Sequence, residues 1–381
     1  MTCLQQIHLV LFFTRGNALK SWVTWGMLER EVALYRQLQE HGVSVSFVTY
    51  GDHRDLRYAH LLPGITILCN RWRLPSKWYE RLLPFLHARH LRNCDVIKTN
   101  QTNGAEVALH TARLWRKPLI ARCGYMWSFH AAQEFGAASD IARRALKVES
   151  EVFSLAQRVV VTALHMVDDI ANRVPGTQSK IAVIPNYVDT DVFTSQDDGS
   201  SCEFDLIFVG RLKPSKNVPA LLQAVAPLEV KVGMIAGGSQ EEEEAFRRQI
   251  GELNGKVEWL GSNLPNLDIP KYLNRAKIFI LPSHYEGHPK TLIEAMACGL
   301  PVIGANSPGI REVIKHGETG YLCGTDPDSI RNAIQTLLND AALRDRLGNA
   351  ARQYTVEHYS LSQIVQQELA ILREVVQVAG T

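Results

Sequence analysis

Short apolar segments alternate with polar loops and with stretches of helical periodicity along most of the chain. Apolar segments of this kind, bounded by glycine, proline or polar residues, predict buried strands. The predicted strands span residues 7–13, 43–47, 95–98, 118–121, 158–162, 181–185, 204–209, 231–236, 257–261, 278–281, 301–304 and 320–322. Because helical patterns separate many of them, the order predicts an α/β protein built from parallel sheets.

The first repeat of this pattern lies near the N-terminus. A polar loop with a single glycine, Gly16, follows the first strand, and a helical pattern runs from about Gly26 to Gly42 before the second strand. Strand, loop, helix and strand in this order predict a right-handed crossover in a parallel sheet. Ligands of such sheets bind beyond the carboxyl ends of the strands, so we expect the polar loop in a binding site.

The length of 381 residues is more than one ordinary hydrophobic core holds, and it predicts two domains of similar size. The polar segment SQDDGSS, residues 195–201, has the composition of a linker between domains. We therefore predict a first domain over residues 1–195 and a second over residues 196–360.

Charge is spread unevenly along the chain. Residues 1–195 contain 23 Lys and Arg against 16 Asp and Glu, a net charge of +7, whereas residues 196–381 contain 18 against 23, a net charge of −5. The basic first half indicates an anionic partner, such as a membrane surface, a lipid-linked diphosphate or an acidic glycan.

The sequence also indicates the cellular compartment in which the protein is expected. No apolar run approaches the roughly 18 residues of a spanning helix, and residues 7–13 lack the basic leader and cleavage site of a signal peptide. The seven cysteines include no C-x-x-C pair, which favours a reducing compartment over a disulfide framework. We therefore expect a cytoplasmic protein.

Residues 71–93, RWRLPSKWYERLLPFLHARHLRN, interleave basic residues with aromatic and leucine side chains. This composition is typical of a peripheral segment at a membrane interface, here the cytoplasmic face of the inner membrane. It equally suits an amphipathic surface helix interrupted by Pro75 and Pro84. Nucleic acid would need the same features, but no nucleic-acid-binding fold accompanies them, so it is not a predicted partner. His87 and His90 are spaced as a metal pair, although a solvated helix face is the preferred interpretation.

The most informative stretch is residues 278–298, IFILPSHYEGHPKTLIEAMAC. Its buried strand stops at Pro282, a polar turn follows, and Pro289 suits the first position of a helix because no N–H partner is needed there. A strand–turn–helix directs backbone N–H groups and the positive end of the helix dipole at one point, which predicts an anion site. Two carboxylates, Glu286 and Glu294, lie in this stretch.

These two carboxylates have two interpretations from the residues alone. A carboxylate beside an anion is stabilised when it accepts hydrogen bonds from groups that the anion carries, and sugar hydroxyls meet that need. Alternatively, Glu286 caps the helix, and Glu294 pairs with Lys290 one turn away, although Lys before Glu is the weaker order for such a pair.

The segment EGHP at 286–289, followed by EAMACG from Glu294, resembles the glutamate-seven-glutamate motif of retaining glycosyltransferase family 4. That family has the GT-B fold. The resemblance therefore implies α/β architecture with two Rossmann-like domains whose parallel sheets face each other across a cleft. It also implies that a C-terminal helix, residues 361–381, packs back on the N-terminal domain.

A second segment supports the resemblance. Arg211 and Lys216 follow the strand 204–209 and lie five residues apart around a turn, so both side chains can reach one diphosphate. The loop near residues 262–264 corresponds to the place where the family holds the nucleotide base.

The resemblance assigns roles to particular residues of this chain. The implied catalytic residues are Glu286, which holds the donor sugar, together with Arg211 and Lys216. The implied donor-binding residues are Glu294, which holds the ribose, and Gly287, His288, Pro289, Lys290, Gly210 and Gly16. Candidates on the acceptor side are Arg15, Asn100, Arg122 and Tyr125.

Two positions depart from the family pattern. Family members often carry a glycine-rich loop after the first strand, where this chain has only Gly16. Many members also place a histidine after the strand corresponding to 118–121, whereas this chain reads Cys-Gly-Tyr at 123–125 and His130 comes later. No histidine is therefore assigned to this role. For Arg122 and Tyr125, the acceptor-side candidates in this stretch, a buried structural pairing is the alternative.

The implied activity is transfer of a hexose, with retention, from a UDP- or GDP-sugar to a hydroxyl of a glycan or lipid-linked acceptor in cell-surface polysaccharide synthesis. The donor is a co-substrate, and no cofactor or metal ion is implied. Asp189-Thr190-Asp191 matches the D-x-D triplet of metal-dependent transferases, but two aspartates make a weak metal site, and an Asx turn is predicted instead. Two other classes stay open: a sugar-nucleotide epimerase of the same fold, and a non-catalytic nucleotide-sugar-binding subunit.

Overall fold

A computed structural model describes residues 6–195 and 202–380 of the chain. The chain divides into two compact units of similar size. The first comprises the described residues of Met1–Thr24, Glu31–Pro185 and Ile364–Thr381, and the second those of Trp25–Arg30 and Asn186–Gln363. Residues 196–201 of the predicted linker lie outside the described part of the chain.

The first unit is built on a seven-stranded parallel sheet. Its strands are β1 (Ile7–Phe12), β2 (Val43–Asp52), β3 (Ile65–Asn70), β4 (Val96–Thr99), β5 (Leu119–Cys123), β6 (Arg158–Val161) and β7 (Ile181–Val183), in the order β3-β2-β1-β4-β5-β6-β7. In the pair β1–β2, the register runs from Ile7 opposite Val43 to Phe12 opposite Val48. The sequence analysis missed β3, whose apolar residues ITILCN carry the same signal as the other strands.

α-Helices lie between most consecutive strands of the first unit. They are α1 (Leu19–Thr24), α2 (Leu28–Glu40), α3 (Ser76–Leu86), α4 (Ala88–Leu91), α5 (Ala105–Trp115), α6 (Trp127–Phe135), α7 (Asp140–Leu155) and α8 (His165–Arg173). The helix predicted from about Gly26 to Gly42 is α2, which begins two residues later at Leu28. The sequence analysis missed α1, which ends at Thr24, and Gly26 between the two helices has a φ of 65°. Glycine adopts this left-handed conformation without strain, so the two helices are joined by a sharp turn.

The second unit contains a six-stranded parallel sheet. Its strands are β8 (Phe204–Arg211), β9 (Val232–Gly237), β10 (Val257–Gly261), β11 (Ala276–Leu281), β12 (Val302–Ala305) and β13 (Tyr321–Cys323), in the order β10-β9-β8-β11-β12-β13. Its helices are α9 (Val218–Val225), α10 (Gln240–Gly251), α11 (Ile269–Leu273), α12 (Lys290–Ala297), α13 (Pro327–Asn339) and α14 (Ala341–Tyr359). A capping box of Ser239 and Glu242 starts α10. All six strands were predicted.

The last helix, α15 (Leu361–Gly380), joins the first unit from Ile364 onwards. Lys98 on β4 and Glu368 on α15 form an ion pair with Nζ and Oε2 2.6 Å apart, and both side chains are almost fully buried. Arg158 on β6 donates to Glu374 on the same helix. The C-terminal helix is thus fixed to the sheet of the first unit by charged groups as well as by apolar contacts.

The two units separate between Pro185 and Asn186, ten residues before the boundary that we drew at residue 195. Two observations explain the difference. The N–H of Val188 donates to the carbonyl oxygen of Tyr359 (2.9 Å), and Phe193 belongs to the hydrophobic core of the second unit. The packing of these residues, which the polar composition of the following segment does not reveal, decides where the second unit begins.

Candidate active site

The second sheet has its topological switch point between β8 and β11. These strands are neighbours, but β8 leads to β9 on one side and β11 leads to β12 on the other. The loops beyond the carboxyl ends of two such strands diverge and leave room for a ligand. Here they are residues 212–217 after β8 and 282–289 after β11. The predicted anion site therefore lies at the switch point.

Hydrogen bonds and one ion pair join the two loops. Asn217 has a φ of 56° and donates from Nδ2 to the carbonyl oxygens of Pro282 (3.2 Å) and Thr325 (2.7 Å). Next to it, Lys216 Nζ lies 2.5 Å from Glu286 Oε1. Two of the residues assigned to catalysis thus contact each other directly, and the interpretation of Glu286 as a helix cap is wrong, because no side chain caps α12.

Gly309 lets a third loop support the turn at Glu286. The N–H of Glu286 donates to the carbonyl oxygen of Pro308 (3.0 Å). A Cβ on Gly309, whose φ is 80°, would lie 2.5 Å from the carbonyl oxygen of Glu286 and 2.4 Å from that of Gly287. Only glycine fits this approach without displacing the turn. The loop after β12 therefore fixes the backbone that carries the carboxylate of Glu286.

Helix α12 begins one residue later than predicted. Pro289 is its N-cap, with a ψ of 106°, and Lys290 is the first helical residue. The ring of His288 is buried 4.8 Å from the ring of Tyr359, and its carbonyl oxygen accepts a hydrogen bond from Asn186 Nδ2 (2.7 Å). The side chain of His288 therefore contributes to packing, while the backbone of this stretch forms the helix N-terminus that was predicted to hold an anion.

A cavity with about 130 Å³ of interior space, open to solvent, lies beside this helix. Two predicted site residues from different loops, Arg211 and Glu294, line it together. The other lining residues are Trp25, Gly26, Met27, Arg30, Val209, Gly210, Ile235, Gly237, Asn263, Leu264, Asn266, Ile269 and Thr291. The cavity thus joins a basic side chain, a carboxylate and the loop at residues 262–264.

Glu294 is the buried carboxylate of this cavity, with 2% of its surface exposed. Its Oε1 accepts hydrogen bonds from Asn266 Nδ2 (3.0 Å) and Arg30 Nη1 (3.2 Å). Within the described residues, these bonds end on Oε1 rather than Oε2. A buried carboxylate is costly unless it is paired and hydrogen-bonded, and here both conditions are met while one oxygen stays available to a ligand.

The sequence analysis missed the segment Trp25–Arg30, which forms one wall of the cavity. The carbonyl oxygen of Gly26 accepts a hydrogen bond from the N–H of Asn266 (2.9 Å). The guanidinium of Arg211 lies 5.4 Å from the centre of the Trp25 ring. No local pattern links this segment to residues more than two hundred positions away, so periodicity and motif spacing could not find it.

In the first unit, Arg15 is occupied by structural contacts. Its guanidinium forms ion pairs with Glu80 (2.9 Å) and Glu106 (2.7 Å), and only a fifth of its side chain is exposed. Burial lowers the pKa of Arg15, but the hydrogen bond to Glu80 and the charge of Glu106 outweigh burial and raise it. Gly104 has a φ of 90°, and a Cβ there would lie 2.7 Å from Cβ of Arg15, so the loops after β1 and β4 touch.

The other acceptor-side candidates lie at the ends of β4 and β5. Arg122 Nη1 donates to the carbonyl oxygen of Asn100 (3.2 Å), so these two candidates come together. The ring of Tyr125 is 4.9 Å from that of His130, and burial raises the pKa of Tyr125. Gly16 has a φ of 79° and no atom within 4 Å of the position of a Cβ.

Two segments have residues spaced like metal ligands, and the predictions for them have different outcomes. The N–H of Asp191 donates to Oδ1 of Asp189 (3.1 Å), which confirms the Asx turn. The solvated face predicted for His87 is wrong, because His87 is buried and its Nε2 lies 3.0 Å from the hydroxyl of Tyr79. Across residues 6–195 and 202–380, no group of three or more His, Cys, Asp or Glu side chains is placed to hold a metal ion.

Two family models match the chain, one in each half. The model for Glycosyltransferase Family 4 matches residues 32–192, and the model for Glycosyl transferases group 1 matches residues 196–354. The chain belongs to the family 4 glycosyltransferases. The motif residues Arg211, Lys216, Glu286 and Glu294 all lie in the second match.

Curated relatives of the family are similar over part or most of the chain. Alpha-maltose-1-phosphate synthase of Mycolicibacterium smegmatis is 29% identical over 60% of this chain and 66% of its own length. N-acetyl-alpha-D-glucosaminyl L-malate synthase of Bacillus anthracis is 29% identical over 58% and 61%. This chain thus spans somewhat less than two thirds of these relatives. D-inositol 3-phosphate glycosyltransferase of Kribbella flavida is 24% identical over 87% and 86%.

Solved structures agree with the family in fold. Sucrose-phosphate synthase from Thermosynechococcus elongatus superposes with a TM-score of 0.80 at 20% identity, covering 98% of this chain and all of that one. Anabaena HepE in complex with UDP and glucose superposes with a TM-score of 0.77 at 19% identity, covering 97% and 100%. The predicted GT-B fold is therefore confirmed, with one parallel sheet in each unit.

Proposed function

We propose that this chain transfers a hexose from a UDP- or GDP-sugar to a hydroxyl of a glycan or lipid-linked acceptor, with retention at the anomeric carbon. The observation that carries the proposal is the cavity in which Arg211 and Glu294 meet beside the N-terminus of α12. A nucleoside diphosphate needs positive charge for its phosphates and a hydroxyl acceptor for its ribose, and this cavity offers both. The UDP and glucose bound in HepE support the same donor class.

The chemical difficulty of this reaction is departure of the diphosphate. Its oxygens gain negative charge as the bond to the anomeric carbon breaks, and fixed positive groups stabilise that charge. Arg211, Lys216 and the uncapped N-terminus of α12 are the groups that provide it, so the proposal requires no metal ion. The acceptor oxygen bonds to the anomeric carbon on the same face, and its proton passes to the departing diphosphate.

The two carboxylates contact different parts of the donor, the ribose and the hexose. Glu294 accepts from the ribose through Oε2, since its Oε1 is bonded within the protein. Glu286 is paired with Lys216 in the structure. When the donor binds, Lys216 turns to the diphosphate and Glu286 accepts hydrogen bonds from the hexose hydroxyls. Before the donor binds, the ion pair keeps both side chains close to the positions from which they contact the diphosphate and the hexose.

We further propose that α3 contacts an anionic membrane at the cytoplasmic face, in a cell-surface polysaccharide pathway. Trp78, Leu82 and Phe85 follow one another along a single face of this helix and are 57%, 37% and 57% exposed. Lys77 and Arg81 are exposed beside them. Such a face combines apolar area with positive charge, which is what an interfacial helix needs.

The charge of this face is not balanced by acids. Glu80 is the single acidic residue among positions 71–93, and its carboxylate turns inwards to Arg15. Within the described residues, no helix is long and apolar enough to cross a bilayer. The membrane contact that we propose is therefore peripheral and depends on salt.

Vesicle sedimentation tests the membrane contact. The protein is expected to sediment with phosphatidylglycerol vesicles at low salt and much less with phosphatidylcholine vesicles. A Trp78→Ala/Phe85→Ala variant should lose most of this binding. Phe135→Ala is the matched control, because this residue is also apolar and 53% exposed but lies on α6. Equal sedimentation of the double variant and the control would remove α3 from the proposal.

A donor panel tests the transfer itself. The protein is incubated with UDP-, GDP- and ADP-sugars, with and without lipid-linked acceptors. A product that forms only with an acceptor supports transfer, an isomerised donor indicates an epimerase, and binding without turnover indicates a binding subunit. Lys216→Ala should lower transfer about 10²–10³-fold. Lys213→Ala is the matched control, because Lys213 is exposed in the same loop and lies 3.6 Å from Glu242, away from Glu286.

A further inference from the structure

The wall formed by Trp25–Arg30 is attached to the cavity at several points. Besides the bond from Asn266 to Gly26, the hydroxyl of Tyr187 donates to the carbonyl oxygen of Arg30. A Cβ on Gly26 would lie 2.2 Å from the carbonyl oxygen of Leu264, so the backbone of the segment rests directly on the loop beside it. These attachments hold the backbone of Arg30 at a fixed position.

The side chain of Arg30 ends at the carboxylate that the proposal assigns to the ribose. Its Nη1 donates to Oε1 of Glu294, and the side chains of the two residues are 19% and 3% exposed. Asn266 Nδ2 donates to the same oxygen. Two donors on one oxygen determine the rotation of the carboxyl group, and they leave the direction of Oε2 defined as well.

We propose that Arg30 is a positioning residue of the donor site: it fixes the carboxylate of Glu294 so that Oε2 accepts from the ribose diol. This inference rests on the proposed function, since it requires a nucleoside diphosphate in the cavity. It adds a residue that no motif of the family assigned in this chain. Arg30 acts through Glu294 and is not placed on the diphosphate.

The charge of Arg30 has a second effect on the same carboxylate. Glu294 is nearly fully buried, and a buried carboxylate without a cation is unfavourable. Arg30 provides that cation beside Glu294, whose oxygens accept hydrogen bonds from hydroxyl groups. An oriented carboxylate discriminates strongly between a ligand with hydroxyls and one without them, because the carboxylate would be left with an unpaired oxygen in the second case.

The test measures that discrimination by calorimetry. The probes are UDP and GDP together with their 2′,3′-dideoxy counterparts, which lack the ribose diol. For the wild-type protein we expect the preferred nucleotide to bind about 10–100-fold more tightly than its dideoxy form, the range of hydrogen bonds to a charged group. In Arg30→Ala this ratio should fall to about twofold to threefold, while the dideoxy nucleotide itself binds within about twofold of wild type.

Two further variants complete the design. Glu294→Ala should abolish the discrimination, and adding Arg30→Ala to it should change nothing more, because Arg30 acts through Glu294. Arg30→Lys keeps the charge but loses the planar fork, so its ratio should lie between those of wild type and Arg30→Ala. Circular dichroism and the thermal midpoint of each variant report whether the fold is retained.

Other outcomes overturn the inference. If Arg30→Ala weakens the nucleotide and its dideoxy form equally, Arg30 supports the cavity wall without orienting Glu294. If Arg30→Ala binds the nucleotide more tightly than wild type, Arg30 competes with the ribose. If the wild-type protein binds neither UDP nor GDP, the proposed function fails first and this inference fails with it, so the two failures are distinguishable.

Discussion

The first strand of each sheet in chain order carries an arginine near its carboxyl end, and the two arginines have different roles. Arg15, after β1, is enclosed by the carboxylates of Glu80 and Glu106. Arg211, at the end of β8, is exposed, lies over the ring of Trp25 and lines a cavity. A cation whose charge is already matched within the fold contributes little to an anionic ligand. Under the proposed function, Arg211 uses its charge for the diphosphate of the donor.

The same difference holds for carboxylates. In the first unit, buried Glu149 accepts from Ser128 Oγ (2.5 Å) and Thr102 Oγ1 (3.2 Å), and burial raises its pKa. In the second unit, Glu294 is as deeply buried but its hydrogen bonds to Arg30 and Asn266 end on one oxygen. A buried or half-buried charged residue therefore indicates a ligand site only when the fold leaves part of its hydrogen-bonding capacity unused.

The largest expected effect concerns the buried ion pair of the first unit. Glu368→Ala leaves Lys98 buried without a partner and should lower the free energy of unfolding by about 3–5 kcal/mol. Burial already lowers the pKa of Lys98. Because a protein of two units need not unfold in one step, urea unfolding is followed with several probes and the transition of the first unit is compared.

The control for this prediction removes both charges. The variant Lys98→Met/Glu368→Leu has no unpaired ion and should recover most of the stability that Glu368→Ala loses. If Glu368→Ala changes unfolding by less than about 1 kcal/mol, within the range of exposed pairs, the charge pair is not a structural contact of the first unit.

The second prediction separates the two arginines. Arg211→Ala should lower transfer about 10²–10³-fold with an unchanged thermal midpoint, because its charge serves the diphosphate. Arg15→Ala should lower stability by about 1–3 kcal/mol, since it removes the arginine paired with Glu80 and one of the two arginines paired with Glu106, and should bind UDP or GDP as wild type does. Steady-state kinetics, calorimetry and thermal unfolding give the three readouts. The contrast between the units fails if Arg15→Ala impairs nucleotide binding as much as Arg211→Ala.

The third prediction compares two glycines of the second unit. Gly309→Ala should lower stability by about 2–3 kcal/mol and weaken transfer, because it combines left-handed strain with a clash against the turn at Glu286. Gly317 has a φ of 75° and open space at its Cβ position, so Gly317→Ala should cost only the strain, about 1 kcal/mol, and leave transfer unchanged. Equal effects of the two substitutions would show that the contact at Gly309 does not position Glu286.

Sequence patterns predicted the second unit better than the first for a physical reason. Its six strands, the capping box at Ser239 and the contact of Lys216 with the turn at Glu286 depend on neighbouring residues or on a topology that the βα order fixes. The strand order then brings β8 beside β11. A local pattern and a simple topological rule are therefore enough to locate this part of the site.

The remaining parts depend on contacts between distant segments. Arg30 reaches Glu294 across 264 positions, and the sequence does not show which of the many arginines will do so. Gly309 is similar to other turn glycines until the carbonyl groups that approach it are known. Residues 186–195 were assigned to the first domain because the polar linker follows them, but Phe193 packs in the core of the second unit. Long-range packing decides these three points, and the periodicity of apolar residues contains no information about which distant segments will pack together.

The smallest expected effect concerns His87, whose burial the sequence did not predict. Burial lowers the pKa of His87 to about 4, from an ordinary value of 6.5. The fold therefore favours the neutral ring, which lies beside the hydroxyl of Tyr79. The stability that His87 contributes is complete above pH 6.5 and is lost as the pH falls towards 4, with about 2 kcal/mol lost by pH 5.

His87→Gln tests this prediction because the glutamine amide can accept from Tyr79 and does not titrate. Urea unfolding at pH 7.5 and pH 5 should show a smaller loss of stability in His87→Gln than in wild type, by about 2 kcal/mol. His41→Gln is the control, because His41 is exposed and this substitution should leave the pH dependence as it is. If His87→Gln and wild type lose the same stability, His87 is not held neutral by the fold, and the first unit has a titratable group open to solvent next to the proposed membrane helix.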